Sequence, residues 1–339
     1  MTTRRNFLKN TTMLAAGLGV SPLLSSSPLR SYQKEEVING KVRIAVIGVG
    51  MGCRDLQGAL TDNPWVHCVG MCDVNKVRLE EQLARFKKDF PEQTVSIKAY
   101  TDFREVLANK EIDGVIIATP DHWHPYIFAE ALKAGKAIYV EKPVGNSISE
   151  CNAMMDFQKK YKGVVTTGLW QTSQRYFRAA NEILKSGVLG DVYKVQLWLC
   201  QSTNPRPSVE DSEAPSTLDY DMWLGPAPER PFNNSRFRGW RGFWDYGGGQ
   251  QTDWGVHWID SAFDGLKALG LCDREYPDAV FSIAYKDPAS FNETPSCQTS
   301  IFQYKNFHIE WAQQVAYLYN RNQGVAWVGS KATLVCNRE

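Results

Sequence analysis

Glu141, Lys142 and Pro143 close the apolar run Ala137 to Val140, and far upstream the turn Gly48-Val49-Gly50-Met51-Gly52 follows the apolar run Val42 to Ile47. A strand that enters a G-x-G turn and then a helix offers backbone N–H groups and the positive end of a helix dipole to a pyrophosphate. Parallel strands of one sheet end on the same edge, so a lysine closing a later strand stands where the nicotinamide of that dinucleotide would lie. Asp73 ends the apolar run Val66 to Cys72, 25 residues after Gly48, and an acid there accepts hydrogen bonds from the adenosine ribose hydroxyls. The set points to a bound nicotinamide dinucleotide and to hydride transfer. The acid favours NAD, while Lys76 and Arg78 keep NADP open, since a cation there could hold a 2′-phosphate.

Further chemistry-bearing residues cluster in two places. The buried run Gly114 to Ala118 leads into Thr119-Pro120-Asp121-His122-Trp123-His124, a loop on the same sheet edge, so Thr119, Pro120, His122 and His124 are expected to line the mouth of the cofactor site. The H-x-H pair has no third ligand at a helpful spacing and no C-x-x-C pair exists, so no metal is expected. Downstream, Asp253 and His257 are four residues apart after Gly247-Gly248-Gly249, on one face of a predicted helix. An imidazole oriented by a carboxylate is a competent general base.

The elements that must position these residues alternate. Strands at Val42 to Ile47, Val66 to Cys72, Gly114 to Ala118 and Ala137 to Val140 are separated by helices at about Val77 to Lys88, from Thr101-Asp102-Phe103, and over Tyr126 to Ala134, which predicts a doubly wound parallel sheet. From about Ser147 the pattern changes, with helices over Ser149 to Tyr161 and Tyr176 to Ser186, the run Val164 to Thr167, the polar loop Gly168 to Arg175, and a half-covered strand over Gly190 to Cys200. Residues 201–246, rich in Pro, Trp and Arg, read as a long functional insertion that walls a carbohydrate site or grips a neighbouring subunit. Strands follow near 279–286, 297–304 and 307–316.

With 339 residues, 43% of them hydrophobic, the chain is long enough for two domains with full cores. A net charge of +1 gives no charged footprint for nucleic acid or an anionic membrane, which leaves small-molecule chemistry. The 8 cysteines are dispersed, and Cys68 and Cys72 share one apolar strand, so they read as free, buried thiols. The 11 Trp and 14 Tyr exceed what a core needs, and their faces suit the C–H surfaces of sugars.

Thr3-Arg4-Arg5-Asn6-Phe7-Leu8-Lys9 precedes a short apolar stretch, Met13 to Leu24, broken by Gly17, Gly19 and Pro22. This reads as a twin-arginine export signal with a linker, residues 1–36, too short to span a membrane and without a lipid-anchor cysteine. The twin-arginine machinery, a periplasmic destination and a cofactor loaded before export are then expected.

Taken in order, Gly48-x-Gly50, Asp73, Ala118-Thr119-Pro120-Asp121-His122-Trp123-His124, Glu141-Lys142-Pro143 and Gly249-x-x-x-Asp253-x-Gly255-x-His257-x-x-Asp260 resemble the glucose-fructose oxidoreductase / inositol dehydrogenase / MocA (Gfo/Idh/MocA) family over residues 40–339. The export signal and Trp223-Leu224-Gly225-Pro226-Ala227-Pro228 resemble its exported twin-arginine branch. The resemblance implies an N-terminal Rossmann domain, residues 37–146, and a C-terminal α/β domain, residues 147–339, whose open, mostly antiparallel sheet carries the substrate site and an interface for a homo-oligomer, a dimer or tetramer. It implies that Gly48, Gly50, Met51, Gly52, Asp73, Thr119, Pro120, His122, His124, Glu141 and Lys142 hold the cofactor. Lys142 would also contact the substrate hydroxyl, while Asp253 and His257 handle the proton. Exported relatives usually continue for many tens of residues beyond Val335-Cys336-Asn337-Arg338-Glu339, which points to a chain truncated at its C-terminus.

Two activities are compatible with these residues: an NAD(P)-dependent dehydrogenase acting on a sugar or polyol carbinol, and a redox-neutral glycosidase or lyase that passes through a transient keto-sugar. The presence of Lys142, Asp253 and His257 together weighs against a non-catalytic binding module.

Overall fold

Near-continuous apolar runs bounded by turn residues form strands covered on both faces. Four such runs, VRIAVI, VHCVGMC, GVII and AIYV, become β1 (Val42–Ile47), β2 (Val66–Cys72), β4 (Gly114–Ile117) and β5 (Ala137–Val140) in a computed structural model of the protein. The residues described are 41–50, 63, 65–91, 97–200, 206–272, 276–314 and 322–338. The predicted signal, and Met51 and Gly52 of the glycine turn, lie outside them. Among the described residues no helix is long and apolar enough to cross a membrane.

With β3 (Lys98–Tyr100) and β6 (Val165–Thr167), these strands make a parallel sheet in the order β3-β2-β1-β4-β5-β6. Its helices are α1 (Lys76–Asp89), α2 (Phe103–Ala108), α3 (His124–Lys133) and α4 (Ile148–Tyr161). Local chemistry starts them. Asn75 and Asp102 cap the orphan N–H groups of α1 and α2, and Ser147 and Glu150 form a reciprocal capping box on α4. The core on one face joins Ala45, Ile47, Val115 and Ile117 to Phe103, Ile127, Phe128 and Leu132; the other joins Val46, Met71 and Ile116 to Leu79 and Phe86.

The expected domain limit at 146/147 is displaced. Helix α4 and strand β6 complete the first sheet, so the first unit runs to Thr167 and also takes in Ser212–Phe232. The period change at Ser147 marks only the end of the cofactor-edge loops. Within the stretch 212–232, a one-turn helix α6 (Tyr220–Leu224) is tied to the sheet's carboxyl edge by Lys76 N–H to Thr217 O (2.9 Å) and Asp219 N–H to Val74 O (3.0 Å). Trp123 Nε1 donates to the carbonyls of Met222 (3.1 Å) and Trp223 (3.0 Å). Gly225, at φ 47°, leaves room for that indole, since a Cβ there would lie 2.0 Å from the ring. This part of the insertion is therefore a wall of the first unit.

The second unit comprises Gly168–Asp211 and the chain from Asn233. Its mixed sheet has the order β12-β11-β7-β10-β9-β8, built from β7 (Val192–Cys200), β8 (Ala279–Tyr285), β9 (Cys297–Gln303), β10 (His308–Gln314), β11 (Gln323–Gly329) and β12 (Thr333–Cys336). Only the central pair β7 and β10 is parallel. Helices α5 (Arg175–Lys185) and α8 (Val256–Ala268) cover one face, where Phe177, Leu184, Trp258 and Leu266 pack on Leu197, Ile309, Trp311 and Trp327. A short α7 (Asn234–Arg238) lies in the remainder of the insertion. The sequence pattern does not predict β11 (QGVAWVG) and β12 (TLVC), short runs whose apolar residues do not alternate, and β11 is defined by its pairing with β7.

The seven described cysteines are free thiols. Burial pushes the Cys68 thiol up to about 11 and raises Cys72 as well, the latter helped by the nearby Asp73 carboxylate. Because alkylation needs the thiolate, iodoacetamide at about pH 8 should spare Cys68 and Cys72 in the folded protein and modify both after denaturation, as read by peptide mass spectrometry. The same raised values mean that folding loses stability as pH rises above the unfolded thiol value of about 8.5.

Candidate active site

The carboxyl edge of the first sheet is built by a close backbone approach. Gly48 N–H donates to Cys72 O (2.8 Å) and Ala118 N–H to Ile47 O (2.8 Å), so the turn after β1 meets the loop after β4. Gly48 sits at φ 88°, and a Cβ on it would stand 2.6 Å from Ala118 C and O and 2.7 Å from Thr119 N. Only glycine has both the conformation and the space. The sheet order reverses between β1 and β4, which is where an open α/β sheet offers its crevice.

Asp73 is buried and accepts from Val49 N–H (3.0 Å) and Asn75 N–H (2.8 Å). Its carboxylate thus ties the glycine turn to the end of β2. Burial raises its pKa, opposed by those two N–H groups and by the Arg78 charge. Arg78 reaches the turn, its Nη1 being 3.8 Å from where a Cβ on Gly50 would be. Thr119 is half-buried, and its Oγ1 is shielded from water without a hydrogen-bond partner. A glycine cradle, an acid at the end of β2 and an unsatisfied hydroxyl at the edge fit the diphosphate, ribose and nicotinamide portions of a dinucleotide.

Glu141 N–H donates to Ile117 O (2.8 Å), extending the β4–β5 ladder, and Lys142 follows half-buried before a cis peptide to Pro143. Glu141 accepts from Tyr139 OH (3.2 Å) and from Lys142 N–H (3.2 Å). Burial and that carboxylate push the Tyr139 phenol well up, so it stays a donor. Pro120 is half-buried on the loop after β4.

The two histidines do something other than line an open mouth. His122 is buried, with Nε2 3.0 Å from Trp223 O and its ring 5.6 Å from the Trp223 ring. His124 is buried against the carbonyls of Thr119 and Pro143. Both rings are used to hold loops in place, which the sequence motif alone does not reveal.

In the second unit, Asp253 and His257 are not on one regular helix. Gln251–Gly255 form a π-turn, and α8 begins only at Val256. The extra residue per turn alters the angular offset expected from an i,i+4 spacing, and such turns mark functional sites. Asp253 Oδ1 lies 3.1 Å from Arg241 Nε, and the Arg241 guanidinium stacks 4.1 Å over Trp240. Arg241 thereby serves a carboxylate of its own chain; Arg236 likewise binds Glu293 (2.9 Å), and Arg206 Nε donates to Asn292 Oδ1 (3.1 Å).

His257 is buried with its ring edge-on to Trp170, centroids 6.0 Å apart. Gln171, fully buried, donates from Nε2 to His257 O (3.2 Å) and Ser261 Oγ (2.9 Å). Arg338 Nε donates to Gln171 Oε1 (2.6 Å), and its guanidinium lies 4.7 Å from the rings of both Trp170 and Trp254 and 5.6 Å from that of Trp258. Burial lowers the Arg338 pKa, against the Tyr176 and Asp253 charges. Gln171 and Arg338 carry no spacing signal; they join His257 only through the fold.

Comparison with known proteins agrees with this chemistry. Residues 42–169 match the model of an oxidoreductase family with an NAD-binding Rossmann fold, and residues 178–267 match that family's C-terminal alpha/beta domain. An alpha-N-acetylgalactosaminidase of Tannerella forsythia is 33% identical over 163 residues, 44% of this chain and 34% of that protein. A glycosyl hydrolase family 109 protein of Parabacteroides distasonis is 27% identical over 56% of this chain and 43% of its own length, and an inositol 2-dehydrogenase of Salmonella typhimurium is 24% identical over 44% and 43%. The chain therefore spans between about a third and just under half the length of these curated relatives. Among solved structures, the WlbA dehydrogenase from Bordetella pertussis, in complex with NADH and UDP-GlcNAcA, superposes with a TM-score of 0.65 at 17% identity, covering 87% of this chain and 79% of that one. GenD2 from gentamicin A biosynthesis, in complex with NAD, gives 0.65 at 17% identity over 94% and 75%. At such identities the likeness is one of fold.

Two substitutions test these geometries. Gly48→Ala forces a side chain into backbone at a left-handed φ, so calorimetry should show NAD affinity falling by about tenfold or more, with a stability loss of about 1–3 kcal/mol. Arg338→Ala removes three ring contacts and one hydrogen bond, and urea denaturation should show a loss of about 2 kcal/mol with altered tryptophan emission.

Proposed function

The chain belongs to the Gfo/Idh/MocA oxidoreductase family, and from that premise we propose that it moves a hydride between a sugar or polyol carbinol and a tightly held nicotinamide cofactor. The observation that carries the reading is the first sheet's carboxyl edge, where Gly48 presses on Ala118 and Thr119 and Glu141-Lys142 closes β5. Among the described residues Gly48, Gly50, Asp73 and Thr119 would hold NAD, which would supply a reversible hydride acceptor there.

The chain's own residues supply the rest. Hydride loss from a carbinol requires its hydroxyl proton to depart in the same process, and His257 is the group that receives it. Trp170 and Gln171 hold its ring and backbone, which limits the orientations the imidazole samples. In this reading Asp253, which is paired with Arg241, is the carboxylate that would orient the imidazole and stabilise its protonated form. Lys142 places a fixed positive charge where the oxygen becomes an alkoxide.

A second reading is favoured by one observation: relatives named an alpha-N-acetylgalactosaminidase and a glycosyl hydrolase family 109 protein match this chain. In it, oxidation at a ring carbon acidifies the adjacent C–H, elimination cleaves the glycosidic bond, and the hydride is returned. The same lysine and histidine serve both readings. The twin-arginine segment Thr3 to Lys9 supports export with the cofactor already bound, and the exposed residues of β8 support assembly into a homo-oligomer.

Purified protein mixed with monosaccharides should gain the absorbance of reduced nicotinamide under the first reading. Release of p-nitrophenol from a p-nitrophenyl glycoside without net gain establishes the second, and neither response sinks both. Lys142→Met and His257→Ala should each lower kcat by about 10²–10⁴-fold with the melting transition retained. Parallel loss of stability and activity would refute the assigned roles.

A further inference from the structure

His124, the first residue of α3, has both ring nitrogens against carbonyl oxygens: Nδ1 lies 2.7 Å from Pro143 O and Nε2 lies 2.9 Å from Thr119 O. The side chain is 1% exposed, so water does not take either contact. A backbone carbonyl can only accept, and a neutral imidazole has one donor nitrogen and one acceptor. Whichever tautomer is chosen, a neutral ring would set one nitrogen lone pair against a carbonyl lone pair in a buried place, which is costly. Both nitrogens are satisfied only when both carry a proton, and contacts of this length suit charge-assisted hydrogen bonds.

The two carbonyls belong to the loops that flank the cofactor edge. The β4–β5 ladder pairs Ile117 with Val140 and continues through Glu141 N–H to Ile117 O. Past that rung the two strands separate, one into Thr119-Pro120 and the other into Lys142-Pro143, and the His124 ring spans the gap. We infer that His124 is a positioning residue, a doubly protonated imidazole that bridges the loop bearing Thr119 to the loop bearing Lys142. The titratable groups at this edge of the elements packed around it are Asp121, His122, Tyr126, Glu141, Lys142 and Glu150. Three are carboxylates and one is an ammonium; burial and the place of His124 at the N-terminus of α3 work against a cation, so the charge is held by the two carbonyl contacts.

The inference rests on the reading that Lys142 works at the cofactor edge, but its test does not use catalysis. In the full-length protein labelled with 15N-histidine, both ring nitrogens of His124 should give protonated-type resonances at about pH 8, well above the ordinary histidine value of about 6.5. His124→Asn and His124→Gln each restore at most one donor position. Each should weaken NAD binding by about tenfold or more by calorimetry, the effect of losing one hydrogen bond to a charged group. A ring nitrogen without a proton at that pH, or either variant binding NAD within about twofold of the unsubstituted protein, would overturn the bridge. Should the variants fail to fold, the 15N spectrum decides. If Lys142→Met leaves kcat unchanged while these results hold, the catalytic reading fails and the bridge stands.

Discussion

The contact between Gly48 and the Ala118–Thr119 peptide is the constraint on which the first unit's chemistry depends. It is backbone against backbone, with no side chain available to give way. It brings the ends of β1 and β4 together at the point where the strand order reverses, and hydrogen bonds from Gly48 to Cys72 O and from Ala118 to Ile47 O hold it there. Asp73 then locks the turn through Val49 N–H. Because the strands are parallel, their C-terminal residues all emerge on one edge: the acid after β2, the unsatisfied Thr119 hydroxyl after β4 and Lys142 after β5. An NAD-binding edge is the direct product of strand direction and one glycine.

The second unit solves a different problem, which is to hold a buried imidazole. Helix α8 supplies His257 and, through Trp258 and Leu266, much of the covering layer of the mixed sheet. The π-turn before it carries Asp253, and Arg241 fixes that carboxylate from the preceding loop. Gln171 binds the carbonyl of His257 and the hydroxyl of Ser261, and Arg338 closes the network amid three indoles. Arg206, Arg236 and Arg241 are likewise held by groups of their own chain: Asn292, Glu293 and Asp253.

Family membership and fold agree at the level of chemistry class. The chain is a member of an NAD-binding oxidoreductase family, and its sequence relatives include proteins named for action on inositol and on N-acetylgalactosaminides. In the proposed function, hydride and proton removal at one carbinol would be the shared first step, and the bonds adjacent to it would decide between a released ketone and elimination of a neighbouring group.

Much of this was legible in the chain. The apolar runs VRIAVI, VHCVGMC, GVII and AIYV identified their own strands, and Asp102 marked a helix start, because those signals act over a few residues. The parallel first sheet is a consequence of that alternation, as are Gly48, Asp73 and Lys142 as residues at strand ends. The first compact unit reaches Thr167 because β6 pairs with β5, a pairing that the short run Val165–Thr167 does not encode by itself. The π-turn was invisible because no residue code distinguishes it from an ordinary helical turn. The sequence by itself determined strand direction, the glycine turn and the types of group offered at its edge, since these arise from periodicity and backbone sterics. Only the tertiary structure decided that His124 spans Thr119 and Pro143, that His122 meets Trp223, and that Arg338 reaches Gln171, because partners 19, 101 and 167 residues apart are brought together by burial, which spacing along the chain does not encode.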